Sequence, residues 1–168
     1  MSDAQFNQGA VLGADPRSHP VLQLEKIYVK DLSLEIPHAP QIFAEQLTPQ
    51  LEMQIRTEGQ KVSEQHYEVT VIATVTAKAG ERTVFLVEIA QAGIFLLANV
   101  APEHVEPMLG ISCPAILYAY LREAVSNTVS RGGFPAVTLQ HMSFDNLYLA
   151  RRQEPEQQAA AAAQEPTR

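Results

Sequence analysis

The chain of 168 residues has one cysteine and no tryptophan, and each shortage closes off a class of explanation. Cys113 alone cannot form an intramolecular disulfide, so packing must hold the fold and a reducing compartment is the expectation. The five histidines, at 19, 38, 66, 104 and 141, are scattered, with no His-Glu-x-x-His and no paired Cys/His spacing. No metal site is expected. Cys113, beside a helix start, reads as a small buried side chain rather than a nucleophile. There is neither a Gly-Lys-Ser/Thr loop nor a Gly-x-Gly-x-x-Gly turn, so no nucleotide cofactor and no catalytic residue is assigned. Positive charge is also short, with 12 Lys and Arg against 19 Asp and Glu, for a formal charge of -7. Neutralising phosphates needs concentrated cations, which argues against a nucleic-acid partner and in favour of a basic protein. No stretch approaches the roughly 18 apolar residues of a spanning helix, so membrane insertion is not expected. The opening "MSDAQFNQGA" lacks the basic start and apolar run of a signal peptide, and a cytoplasmic location is the expectation.

What is present suffices for one domain, since 46% hydrophobic content supports a sizeable core. Residues 1–20 show no period and 153–168 form a polar and alanine-rich segment; both ends are expected to be disordered, leaving 21–152 as the domain.

Four stretches alternate with the period of a strand. In "IYVKDLSLEI" (27–36), Leu32, Leu34 and Ile36 oppose Asp31, Ser33 and Glu35. In "LEMQIRT" (51–57), Leu51, Met53 and Ile55 oppose Glu52, Gln54 and Arg56. "YEVTVIATVTAK" (67–78) alternates most cleanly. "TVFLVEIAQ" (83–91) puts Phe85, Val87, Ile89 and Gln91 opposite Val84, Leu86, Glu88 and Ala90. The loop "AKAGER" makes the third and fourth an antiparallel hairpin. Between the first two, "PHAPQIFAEQLTPQ" holds three prolines, which deny ladder hydrogen bonds, so it is a crossover rather than a hairpin. It nevertheless carries Ile42, Phe43 and Leu47, which must dock on something.

Helical spacing follows. In "ISCPAILYAYLREAVSNTVSRGG", Ser112 is the expected cap, Pro114 suits a first turn, and Arg131-Gly132-Gly133 is a stop. Ile116, Leu117, Tyr120, Leu121, Ala124, Val125 and Val129 make a stripe broad enough to want two neighbours, the chain's own sheet and a second copy. A shorter helix near Ser143 shows Phe144, Leu147 and Tyr148 on one face and ends at Arg151 and Arg152. Residues 102–110 read as a turn or short helix. The fold class expected is therefore α+β: a four-stranded antiparallel sheet with a proline-rich crossover, packed by one long and one short C-terminal helix. On its outer face Leu86 lies among the acids Asp31, Glu35 and Glu88, a mixed surface of the kind that binds partners.

Four segments together, "IYVKDLSLEIPHAP", "FLVEIAQAGIF", "CPAILYAYLREAVSNTVSRGGFP" and "SFDNLYL", resemble the SecB protein-export chaperones over about residues 27–148. The resemblance implies a homotetramer, a dimer of dimers with the long helices between two eight-stranded sheets. On that basis Val87, Ile89, Leu117, Tyr120, Leu121, Ala124 and Val125 are assigned to the oligomer interface. It implies a holdase for unfolded precursor proteins, which are handed to SecA, the translocation ATPase. SecA's basic, zinc-binding C-terminal tail would then meet Asp31, Glu35, Leu86 and Glu88. Client polypeptide is carried over to Ile42, Phe43, Leu51, Met53, Ile55, Phe144, Leu147 and Tyr148. Val87 stands where the family usually has cysteine, on the face opposite the SecA contact. Two other readings keep a place: a carrier of a small apolar ligand or lipid, and a SecB-like chaperone tied to a toxin-antitoxin pair.

Overall fold

The computed structural model describes residues 19–162. A four-stranded antiparallel sheet is formed by β1 (Val21–Glu35), β2 (Gln50–Lys61), β3 (His66–Ala79) and β4 (Arg82–Ala98), in the order β1-β4-β3-β2. Consecutive strands β2, β3 and β4 are joined by hairpins; Gly80, at φ +60°, makes the tight β3–β4 turn that needs a left-handed residue. The proline-rich connection carries the chain from one edge of the sheet to the other through a single helical turn, Gln41–Ala44.

Three strands are longer than their alternation announced, β2 among them, running from Gln50 to Lys61. β1 begins at Val21 and β4 runs on through "AGIFLLA" to Ala98. That continuation is a near-unbroken apolar run: Phe95 and Leu97 are buried, and the alternate positions Ile94 and Leu96, only partly covered, are apolar too, so the polar half of the period is missing.

The expected helix start at Ser112 is corrected. Helical backbone is continuous from Pro102 to Arg131: α1 (Pro102–Pro107), a π-helical turn (Met108–Ser112) and α2 (Cys113–Arg131). Ser112 itself has helical φ and ψ and caps nothing. Pro114 cannot donate to the carbonyl of residue 110, and the wider π turn is where the helix accommodates that missing bond. The stop was placed correctly, with Gly132 at the C-cap and Gly133 at φ +87°. Helix α3 (Phe144–Ala162) continues through residues expected to belong to an unstructured tail, in keeping with the high helix propensity of alanine. The remaining tail expectations, on 1–18 and 163–168, lie outside the described residues.

The core lies between the sheet and α2. Val69, Val71, Ala73 and Val75 of β3 and Val87, Ile89 and Phe95 of β4 meet Leu117, Leu121, Val125 and Val129, all essentially without solvent exposure. At Gly93 the helix comes so close that an added Cβ would sit 2.8 Å from a Leu117 methyl. Among the described residues no helix is long and apolar enough to cross a membrane.

Candidate functional site

The helix side of the sheet carries an open apolar groove. Its floor is Leu51 of the edge strand β2 with Val84 and Phe85 of β4. One wall is the crossover loop with Phe43 and Leu47, and the other is Phe134 to Val137; together they surround about 450 Å³. Phe134 centres an aromatic cluster, 5.2 Å from Phe43 and 4.8 Å from Phe85. Phe43 and Leu51 are each half exposed, whereas Ile42 is buried and anchors the loop. Gly133 lies against the Phe43 ring, where a Cβ would be 3.2 Å from it. The far wall is fixed to α2 by two bonds: the Tyr118 hydroxyl donates to the Gln140 carbonyl at 2.6 Å and Arg122 Nε to the Leu139 carbonyl at 2.7 Å. Burial raises the Tyr118 phenol, so it remains the donor this bond requires.

Met53 and Ile55 continue the same face of β2 away from the groove, Met53 exposed and Ile55 partly covered. The row ends in a second hollow of about 350 Å³ bounded by Thr57, Gly59, Leu109, Gly110, Tyr148 and Arg151. Arg151 Nη1 donates to the Thr57 carbonyl at 2.8 Å and to its hydroxyl at 2.7 Å, tying α3 to the edge strand. Leu51 to Thr57 spans roughly 20 Å at strand rise, so an apolar row, Leu51, Met53 and Ile55, runs from the groove to this second hollow, which Glu58, Glu106, Arg151 and Arg152 make a mixed one. Phe144 is in neither: it is buried edge-on to Tyr118 at 5.5 Å. Leu147 packs partly into the core. Sequence reasoning missed Phe85, Phe134 and Val137 as groove residues; for the last two the signal lay in "GGFPAVTL", apolar residues in a proline-bearing loop, the same argument that singled out the crossover.

On the opposite face the register sets Ser33, Glu88 and Thr74 side by side, with Glu35, Leu86 and Thr76 in the next row and Asp31 beside Ala90. The four residues assigned to a partner surface therefore form one patch on two adjacent strands. Thr74 Oγ1 donates to Glu88 Oε2 at 2.7 Å. Further along this face Glu68 is nearly buried, and its carboxylate accepts from Lys30 Nζ at 2.7 Å, from Gln60 Nε2 at 2.5 Å and from the Tyr28 hydroxyl. Lys30, then Tyr28, hold the Glu68 carboxyl below the usual carboxylate range, and the same hydrogen bond helps push Tyr28 up to about 12.

Of the residues assigned to an oligomer interface, Val87, Ile89, Leu117, Leu121 and Val125 are fully buried between this chain's own sheet and helix and have no area left for a second copy. The inner half of the α2 stripe covers β3 and β4, and only its outer half is left exposed. Tyr120 is 48% exposed and Ala124 partly so; Ile116 on the same helix, and Val29 and Leu32 on the edge strand β1, are exposed as well.

The class is an α+β protein, an antiparallel sheet with a groove and apolar strand row on its helix side and an acidic patch on the other. Residues 15–155 match the family described as preprotein translocase subunit SecB, and the chain belongs to the SecB family of protein-export chaperones. It is 50% identical to the protein-export protein SecB of Dechloromonas aromatica, over 90% of this chain and 98% of that one. It is 54% identical to that of an Azoarcus species, over 78% and 87%, and 51% identical to that of Neisseria gonorrhoeae, over 85% and 96%. Among solved structures it is similar in fold to a SecB-like chaperone of Mycobacterium tuberculosis in complex with a ChAD peptide from the HigA1 antitoxin. That likeness has a TM-score of 0.57 at 20% identity, covering 73% of this chain and 91% of that one.

Proposed function

We propose that this chain is a cytoplasmic holdase that keeps precursor proteins unfolded for export and passes them to SecA, acting as a homotetramer. The observation that carries the reading is the open groove at Phe43 and Leu51 and its continuation along Met53, large apolar side chains exposed on a folded domain. A non-native chain offers extended apolar segments, and each large side chain buried gains about 1.5–3 kcal/mol, offset in part by ordering. A track of aliphatic and aromatic surface imposes no sequence, and several tracks on one assembly would raise total affinity by multivalency. The exposed Ile116, Tyr120, Val29 and Leu32 support self-association. Asp31, Glu35 and Glu88 around Leu86 suit a basic tail, with the apolar contact adding to charge attraction. The groove is open along its side, which disfavours a carrier that must enclose a small ligand.

The test is light scattering of a denatured precursor diluted into buffer with this protein, paired with native mass and with binding of the zinc-loaded SecA tail peptide. Suppressed aggregation, a tetramer mass and peptide binding are expected. Phe43→Ser with Leu51→Asp, both at half-exposed positions, should abolish the suppression and leave peptide binding intact. A monomer indifferent to denatured chains would sink the reading.

A further inference from the structure

Resting on the reading of the acidic patch as a docking surface, we propose that Glu68 is a holding partner for Lys30, keeping that ammonium off Asp31 so the patch stays open to a basic partner. The β1–β4 ladder skips a residue here: Val29 lies opposite Gln91 and Asp31 opposite Ala90, with Lys30 the extra residue of a bulge. A bulge brings consecutive side chains to one face of the sheet. Lys30 and Asp31 thus emerge together on the outer face, and a lysine beside a carboxylate there would neutralise it. Instead Lys30 Nζ is 2.7 Å from Glu68 Oε2, across β4 on strand β3.

That destination is constructed. Glu68 is 6% exposed, and three donors from both edge strands converge on its carboxylate: Tyr28 and Lys30 from β1, Gln60 from β2. Ala92, opposite Tyr28 in β4, has no side chain long enough to block the reach of Tyr28 across it. The bulge is fixed from the reverse face, where Gln91, 4% exposed, donates Nε2 to the Tyr28 carbonyl at 2.8 Å. A nearly buried carboxylate is costly unless paired, and its pairing with a lysine whose side chain is 44% exposed adds little stability. Its effect is to decide where the lysine's charge sits. The depressed Glu68 carboxyl keeps the arrangement ionised near neutral pH.

The experiment uses the full chain with Glu68→Gln, Asp31→Asn, their combination, and Lys30→Gln with Glu68→Gln. Binding of the zinc-loaded SecA tail peptide is titrated at low salt, and the Glu68→Gln variant is crystallised without peptide. Glu68→Gln should weaken the peptide roughly threefold to tenfold. In that background Asp31→Asn should cost less than about twofold more, because its carboxylate is already neutralised. The Lys30→Gln, Glu68→Gln pair should regain wild-type binding, and in the crystal Nζ should move within about 4 Å of the Asp31 carboxylate. Additive effects of Glu68→Gln and Asp31→Asn, or an Nζ that stays at position 68, would overturn the proposal. If the wild type ignores the peptide, the docking reading fails, and the crystal position of Nζ alone decides whether Glu68 holds Lys30.

Discussion

The far wall of the groove hangs on two side chains of α2, and deleting their bonds one at a time shows how firmly it is held. Tyr118→Phe keeps the ring against Phe144 and removes only the hydroxyl that donates to Gln140. Gln140 is exposed, so its carbonyl regains water and the loss is that of an ordinary hydrogen bond, about 1 kcal/mol. Arg122→Met is more severe, because Leu139 is buried and its carbonyl is left without the guanidinium, at about 1–3 kcal/mol. Together they withdraw about 2–4 kcal/mol from the segment 135–143, raising its local opening at least roughly 30-fold. Chymotrypsin at low concentration reads that population directly, through cleavage after Leu139; the Phe134–Pro135 bond is resistant to it. Cleavage should rise about fivefold for Tyr118→Phe and at least about 30-fold for the double variant, with Phe95 in β4 untouched. Unchanged cleavage of the segment would refute the claim that these bonds hold the wall. An equal rise at Phe95 would mean that the whole domain had been loosened.

Gly93→Ala should lower stability by about 1–2 kcal/mol, the overpacking against Leu117, Leu24 and Phe95 outweighing the backbone gain; Gly59→Ala, whose Cβ meets only a carbonyl at 4.0 Å, should not. Thermal melts at matched concentration separate the two, and equal melting points would show that the helix can simply move aside. For Glu68 the carboxyl is depressed in the folded chain, so its stabilisation is fully present above the ordinary value of 4.5 and is lost as pH falls through the lower folded value. Denaturant titrations from pH 6 down to about 2 should therefore show a shallower acid decline for Glu68→Gln than for the wild type. Parallel curves would mean that Lys30 and Tyr28 do not depress it.

Much of this fold was legible because one face of each strand is apolar and the other wet: the alternation in "YEVTVIATVTAK" and "TVFLVEIAQ" is the physical record of a one-sided core. Legibility failed where that condition failed. "AGIFLLA" carries Ile94 and Leu96 on its partly exposed side as well as Phe95 and Leu97 on its buried one, so the polar half of the period is missing, and Pro107 and Pro114, which ordinarily end a helix, lie within one continuous helical stretch, a π turn accommodating the bond Pro114 cannot make. The acidic patch was readable as a set, because parity along β1 and β4 fixes which residues share a face. The apolar track was only half readable. Phe43 was flagged as an apolar loop residue in need of a docking surface and Leu51 came with the family resemblance, but Phe85 and Phe134 meet them through a tertiary contact that no local spacing encodes. The same limit put Leu117, Leu121 and Val125 at an interface between copies, since sequence cannot say which part of a broad helix stripe the chain's own sheet will cover.

The order β1-β4-β3-β2 has a consequence for biosynthesis. Val21 pairs with Ala98, so the first strand made has no partner until the last one has left the ribosome. At roughly 5–20 residues per second the amphipathic β1 waits on the order of 4–15 s, while the three-stranded meander β2–β3–β4 can close behind it from neighbouring hairpins. During translation this protein is itself, for some seconds, an extended half-greasy segment in search of a surface.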